Sequence, residues 1–244
     1  MTRRRWIADT VSPASGHPTH AALTGEQALH LARVLRAEPG QIFDVVAAGF
    51  LHRAEITAVT NDRVDFVLHE ELESDSALPL HLYLAVFKFD HLEWAIEKAT
   101  ELGVAEITPV LARRTEKHFA QAAVKRVERW RRIAHEASQQ SRRSSVPTVG
   151  DPTPLKLALE RATAPTRILL SETEQTLSLS QAMNQSEKPD PTTALAIGPE
   201  GGWTPEEMNL FTQQNWTHVT LGPRILRAET AAIAAIAIAG TFLS

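Results

Sequence analysis

Two glycine-bearing clusters hold the residues of this chain best suited to chemistry. The first is Ile197-Gly198-Pro199-Glu200-Gly201-Gly202-Trp203, and the second runs from Thr220 through Leu221, Gly222, Pro223, Arg224, Ile225, Leu226, Arg227 and Ala228 to Glu229 and Thr230. Glycine lets backbone approach a ligand closely and adopt positive φ. The first loop lacks the Lys-Ser/Thr pair of a P-loop and does not match the dinucleotide pattern G-x-G-x-x-G. A tight turn that binds nothing is its competing reading. Arg224, Arg227 and Glu229 are charges beside an apolar segment, and charges so placed are usually paired or functional. Pairing of Arg227 with Glu229 or Glu200 is the alternative to a functional role. The chain has no cysteine. That excludes disulfides, cysteine-ligated zinc, iron–sulfur clusters and a thiolate nucleophile.

The elements that must position these clusters are strands and helices in alternation. Arg167–Ser171, Thr193–Ile197 and His218–Leu221 read as strands, and each glycine cluster directly follows one. Thr204-Pro205-Glu206-Glu207 reads as a helix start, with Thr204 as N-cap, Pro205 at the first position and Glu207 closing a capping box. In an open α/β sheet, ligands bind outside the carboxyl ends of the strands. Ala231–Ala239 is apolar on every side, which predicts a buried helix. Earlier in the chain, Leu80–Phe87 and Glu106–Leu111 read as strands. Asp90 is placed to cap a helix that ends at Gly103. A helix over 121–139 is expected to bury Val124, Val127, Ala134 and Ala137, with Lys125, Arg129 and Arg132 on another face. This alternation predicts an α/β domain with a mostly parallel sheet.

The first 72 residues have a different rhythm. Ile42–Val46, Leu51–Val59 and Arg63–Leu68 are short strands, and Thr24–Leu35 fits one short helix with Thr24 as N-cap. The expected organisation is a small β-rich domain over 1–72, a linker over 73–79 and an α/β domain over 80–244.

The 244 residues suffice for one to two domains with real cores. The net charge of −4 conceals a net +7 over residues 113–143. A basic stretch on an acidic chain suggests a polyanion partner, against the alternative of a solvated helix face. No signal-peptide pattern or membrane span is read. The longest uncharged apolar run, Ala231–Leu243, has 13 residues, short of the roughly 20 needed to span. A soluble, cytoplasmic protein is expected.

The two clusters, Ile197–Gly202 and Leu221–Ala231, resemble the RsmE family of the SPOUT superfamily. So do His30-Leu-Ala-Arg-Val-Leu-Arg36, Glu97-Lys-Ala-Thr-Glu-Leu-Gly-Val104, and Glu136–Arg143 followed by Pro147. These motifs stand in order from residue 30 to 231. A departure is Arg113-Arg-Thr-Glu-Lys-His-Phe119, where the family carries a Glu-Arg-Ser-type sequence. The resemblance implies an N-terminal PUA-like β-barrel that binds RNA. It also implies a C-terminal SPOUT domain with a deep trefoil knot, with knot and cofactor site at about 168–244. The implied activity is S-adenosylmethionine-dependent methylation of uridine N3 in 16S rRNA of the small ribosomal subunit, by a homodimer without metal.

In that frame Leu170, Ser171, Ile197, Gly198, Pro199, Glu200, Gly201, Gly202, Leu221, Gly222, Ile225 and Leu226 would hold the cofactor. Arg227 or Arg224 would stabilise negative charge on uracil or bind the target phosphate. Glu200 and Glu229 are candidates for a base, with orientation of an arginine or a loop as the preferred role. Arg3, Arg4, Arg5, His30, Arg33, Arg36, Arg113, Arg114, Arg142 and Arg143 are the candidate RNA contacts. The absence of cysteine also excludes a cysteine adduct at the uracil ring. The alternatives are another SPOUT methyltransferase, acting on ribose or another base, and a non-catalytic RNA-binding or ribosome-assembly protein.

Overall fold

The computed structural model describes residues 5–13, 17–73, 76–185 and 191–243. Arg3 and Arg4 lie outside them. Two compact units emerge: residues 1–76 with 138–145, and residues 77–137 with 146–244.

The first unit is built on strands β1 (Trp6–Ile7), β2 (Thr10–Ser12), β3 (His20–Thr24), β4 (Ile42–Ala47), β5 (Phe50–Val59) and β6 (Arg63–Leu72). They form one curled sheet in the order β1-β4-β5-β6-β3-β2, antiparallel except for the β1–β4 pair. Its concave face buries Trp6, Leu23, Leu31, Val45, Ile56, Val64 and Phe66. Alternation along β6 explains this: Val64, Phe66 and Leu68 point inward, and Arg63, Asp65 and Val67 do not. The helix expected over Thr24–Leu35 divides into α1 (Gly25–Leu29) and a π-helical turn, His30–Val34. Thr24 does not cap with its side chain. Its amide and hydroxyl both donate to Asp9 Oδ2, at 2.6 and 3.1 Å.

The second unit contains β7 (Leu78–Ala85), α2 (Phe89–Glu101), β8 (Val104–Leu111) and α3 (Lys117–Gln140), whose last turn falls in the first unit. Next come β9 (Thr148–Val149), β10 (Thr153–Pro154), α4 (Leu155–Glu160), β11 (Thr166–Leu170) and α5 (Leu179–Asn184). The unit ends with β12 (Thr193–Ile197), α6 (Pro205–Gln213), β13 (Thr217–Val219) and α7 (Ala228–Leu243). Every strand pairing is parallel, in the order β10-β8-β7-β12-β11-β13, with β9 also on β8. Both faces are covered, as parallel sheets require. Leu80, Leu82 and Leu84 of β7 face α2, α3, α5 and α7, whereas Tyr83 and Ala85 face α4 and α6.

Three expectations are corrected. Val124 is 68% exposed, and its neighbour Ala123 is buried instead. The buried stripe of α3 is Ala123, Val127, Trp130, Ala134 and Ala137, at helical spacing, and Val124 lies one residue (about 100°) off it. Asp90 is not the cap of α2. Lys88 takes that position, because Phe89 is drawn into the helix and packs against Phe119 and Trp130. The apolar helix α7 is buried only on one side, through Ala232, Ala235, Ile236 and Ala239. Ala237 and Phe242 are exposed.

Candidate active site

Strands β12, β11 and β13 are neighbours, and their carboxyl ends open into one cavity of about 770 Å³. Three loops border it: 171–177, 198–204 and 220–227. All twelve residues proposed to hold a cofactor line it: Leu170, Ser171, Ile197, Gly198, Pro199, Glu200, Gly201, Gly202, Leu221, Gly222, Ile225 and Leu226. Arg224 and Arg227 line it as well, and Glu229 does not.

The glycine loop is held from several sides. Thr204 caps α6 with Glu207 closing the capping box, as its sequence predicts. Glu207 does more than cap. Its carboxylate is 3% exposed and accepts from Thr204 N at 2.9 Å and from the amide of Arg113 at 2.7 Å. Arg114 Nη1 donates to the carbonyl of Gly201 at 2.5 Å and to that of Trp203 at 3.4 Å. Gly202 has φ +69°, and its amide bonds the carbonyl of Pro199. A Cβ at Gly198 would stand 3.1 Å from Trp203 Nε1, so any larger residue there would have to push the indole aside by a few tenths of an ångström.

In the third loop, Gly222 has φ +109° and its amide bonds Thr220 Oγ1. Ile225, expected as an apolar wall, is 84% exposed at the cavity's margin. In the first loop, Glu174 accepts from Thr176 Oγ1 at 2.6 Å, Thr176 N at 2.7 Å and Leu177 N at 3.0 Å. These donors hold its carboxyl at about 2, well below the usual carboxylate range.

Among the described residues no ion pair joins Arg227 to Glu229 or Glu200. Glu229 is buried, and its Oε1 lies 2.8 Å from His91 Nδ1. One oxygen of Glu200 accepts from the amide of Lys88 at 3.5 Å.

The candidate RNA contacts divide between the units. Arg5, His30, Arg33, Arg36, Arg142 and Arg143 belong to the first, and Arg113 and Arg114 to the second. In the first, the Arg5 guanidinium bonds the carbonyl of Arg142. Arg33 Nε reaches Asn61 Oδ1 at 3.4 Å, and His30 packs on Trp6. Arg36 and Arg142 are exposed in left-handed backbone, at φ 51° and 62°. Burial pushes the Arg143 guanidinium down to about 10, still charged at neutral pH. Trp203, at the end of the first glycine cluster, and Glu172–Gln175, in the loop after the Leu170 strand that the family resemblance implies as a third site loop, also line the cavity. Met208 in the cavity and His91 beside Glu229 are not indicated by the sequence, because neither belongs to a glycine-spaced motif.

A curled β unit beside a parallel α/β unit, with a glycine-bordered cavity at the strands' carboxyl ends, defines a ligand-binding α/β enzyme with an accessory β domain. Residues 74–240 match the RNA methyltransferase domain family, and residues 23–68 match the RNA methyltransferase PUA domain. The chain is 34% identical over 242 residues to ribosomal RNA small subunit methyltransferase E of Bacillus subtilis, covering 96% of this chain and 94% of the relative. The enzyme of the same name from Synechocystis is 34% identical over 93% of this chain and 75% of its own. Among solved structures, the Neisseria gonorrhoeae ribosomal RNA small subunit methyltransferase E bound to S-adenosyl methionine superposes with a TM-score of 0.82. It shares 29% identity, with 98% of each chain covered. A Legionella pneumophila methyltransferase with bound SAM gives a TM-score of 0.82 at 28% identity, covering 99% of this chain and 98% of that one. The chain belongs to the RNA methyltransferase family, with the small subunit methyltransferases E among its relatives.

Proposed function

We propose that this protein methylates N3 of a uridine in the 16S rRNA of the small ribosomal subunit, with S-adenosylmethionine as donor. The observation that carries the reading is the cavity. It joins three loops at the carboxyl ends of adjacent parallel strands, in a chain aligned over nearly its full length with small subunit methyltransferases E. The cavity fits the cofactor in size, since small-molecule pockets run from about 300 to 1,000 Å³. It fits in chemistry too: Leu170, Ile197 and Leu226 offer apolar surface, and the turns at Gly198–Gly202 and Leu221–Gly222 offer backbone donors and acceptors.

Bound there, the cofactor supplies an electrophilic sulfonium methyl group. Uracil N3 becomes nucleophilic only on losing its proton, so the protein's task is to align the reactants and favour the uridine anion. Arg224 and Arg227 are the cations of the third loop, and either can stabilise that anion. Glu200 touches the Lys88 amide and Glu229 the His91 ring. Those partners favour orienting roles for both carboxylates over a role as base.

The domain roles follow the same reading. The expected bounds of 1–72, 73–79 and 80–244 shift with the structure: the first unit, which also takes in 138–145, acts as the RNA-binding PUA-like domain, and the unit that begins before β7 (Leu78–Ala85) acts as the SPOUT domain, with a trefoil knot within about 168–244. Residues 177–179 pair through their backbone with Thr220, which ties the first and third loops together. A homodimer follows from the family resemblance alone. No described helix is long and apolar enough to cross a membrane, and a cytoplasmic location suits an rRNA substrate.

The deciding experiment is mass spectrometry of 16S rRNA from cells with and without the gene. Loss of one 3-methyluridine, restored by the wild-type gene, is the expected result. A ribose methyl lost instead would move the protein to another SPOUT activity. An unchanged rRNA, with no S-adenosylmethionine binding by calorimetry, would make it a binding protein.

A further inference from the structure

Glu229 is the second residue of α7 and directly follows the loop that carries Arg224 and Arg227. Its side chain is 4% exposed. Oε1 meets His91 Nδ1 at 2.8 Å, and Oε2 is buried without a hydrogen-bond partner among the described residues. A buried carboxylate is costly unless a cation or several donors compensate it. The amino end of α7 compensates in part. The other compensating group in contact is the His91 imidazole, which is 32% exposed and so exchanges protons with water.

The surrounding charges are engaged elsewhere. On α2, Lys88 Nζ lies 3.8 Å from Asp90, and Glu93 is held by Arg126 and Arg129 of α3. Glu200, from the glycine loop, meets the Lys88 amide. Arg227 makes no ion pair with Glu229 among the described residues. Its carbonyl accepts the first helical bond of α7, from Ala231 N at 2.8 Å. Arg227, Ala228 and Ala231 line the cavity, so Glu229 sits within a turn that contributes three residues to the wall.

We propose that His91 is a positioning residue. Its protonated imidazole neutralises Glu229 and pins the first turn of α7, and with it the 221–227 loop, in the arrangement that binds the cofactor. The proposal rests on the reading of the cavity as an S-adenosylmethionine site. Histidine is the side chain whose charge changes between pH 5 and 8. The neutral ring still donates from Nδ1, but it leaves the buried carboxylate uncompensated. Affinity for S-adenosylmethionine therefore falls as pH rises.

The test is calorimetric titration of S-adenosylmethionine into the full chain at pH 6.0 and 8.5, for wild type, His91→Lys and His91→Gln. Amide hydrogen exchange over 228–232 is measured without ligand at both pH values. Wild-type affinity should fall by at least about fivefold between the two pH values, the low end of coupling between sites. His91→Lys, with a permanent cation, should keep the tight affinity at both. His91→Gln should bind at pH 6.0 as weakly as wild type does at 8.5, with faster exchange over 228–232. Equal pH dependence in wild type and His91→Lys would overturn the proposal, as would wild-type affinity in His91→Gln. Should His91→Gln fail to fold, the comparison of wild type with His91→Lys decides. If no form binds S-adenosylmethionine, the functional reading fails. Exchange, taken as protection relative to the intrinsic amide rate at each pH, then decides the tie: the positioning role survives if wild type loses protection over 228–232 at pH 8.5 while His91→Lys does not, and falls if the two respond alike.

Discussion

Arg227 reaches the cavity with no carboxylate in ion-pair range among the described residues, whereas Glu229 and Glu200 are engaged by His91 and Lys88. A guanidinium left free beside a reaction site is available for charge that develops during reaction. Removing one such donor typically costs about 10²–10³ in turnover. Arg227→Ala should lower kcat by that order while S-adenosylmethionine affinity stays within about twofold. Full turnover with unchanged cofactor binding would remove Arg227 from the chemistry. Glu174 makes a different residue-scale prediction. Its folded carboxyl lies at about 2, against the usual value near 4.5, because three donors stabilise its charged form. A depressed folded value means the bonds contribute fully above about pH 4.5 and are lost as pH falls toward 2. Loop 171–177 should therefore loosen across that acid window, followed by the carboxyl chemical shifts of Glu174 and the amide shifts of Thr176 and Leu177. Glu174→Gln should loosen it at neutral pH and flatten the acid transition of those amides.

At the scale of elements, the legible parts of the site are those written in short range. The strand–glycine–cap sequence of 193–207 carries its own geometry, because Thr204, Pro205 and Glu207 act within one turn. The helix phase of α3 was harder. Val124 and Ala123 are both apolar, and the choice between them was made by the large side chain of Trp130, which is fully buried. The ties that hold the cavity's walls were not legible at all. Arg114 meets Gly201 across 87 positions, and His91 meets Glu229 across 138. Periodicity cannot report a partner so distant. Arg114 was read as an RNA contact, yet its guanidinium binds the carbonyls of the glycine loop. Bonds from a charged donor contribute about 1.5–3 kcal/mol each. Arg114→Ala should then weaken S-adenosylmethionine binding by about tenfold or more, since about 1.4 kcal/mol is tenfold. Arg114→Lys, a point charge in place of a planar fork, should recover only part of it. Calorimetry checks both, and an unchanged Kd in Arg114→Ala would mean that the glycine loop holds itself.

For the molecule as a whole, net charge is a poor guide to the partner, because the acidic total of −4 coexists with a strongly basic stretch over 113–143. The structure sorts the cations of that stretch. Arg126 and Arg129 neutralise Glu93, and Arg131 pairs with Glu128 and Asp151. Arg114 serves the glycine loop and Arg143 is partly buried. Arg113, Lys117, Lys125, Arg132 and Arg142 remain exposed, with no carboxylate partner among the described residues. Phosphate binding depends on cations able to replace released counterions, and each contact to a single strand contributes about −0.7 to the slope of log K against log salt. Arg142→Ala should therefore weaken RNA binding and flatten that slope by about 0.7 to 1. Arg131→Ala removes the same formal charge from the chain but strips a cation already matched by Glu128 and Asp151, so its slope should stay at the wild-type value. Filter binding of 16S rRNA between low and physiological salt distinguishes them. Equal flattening in both variants would mean that RNA responds to total charge rather than to the cations left free at the surface.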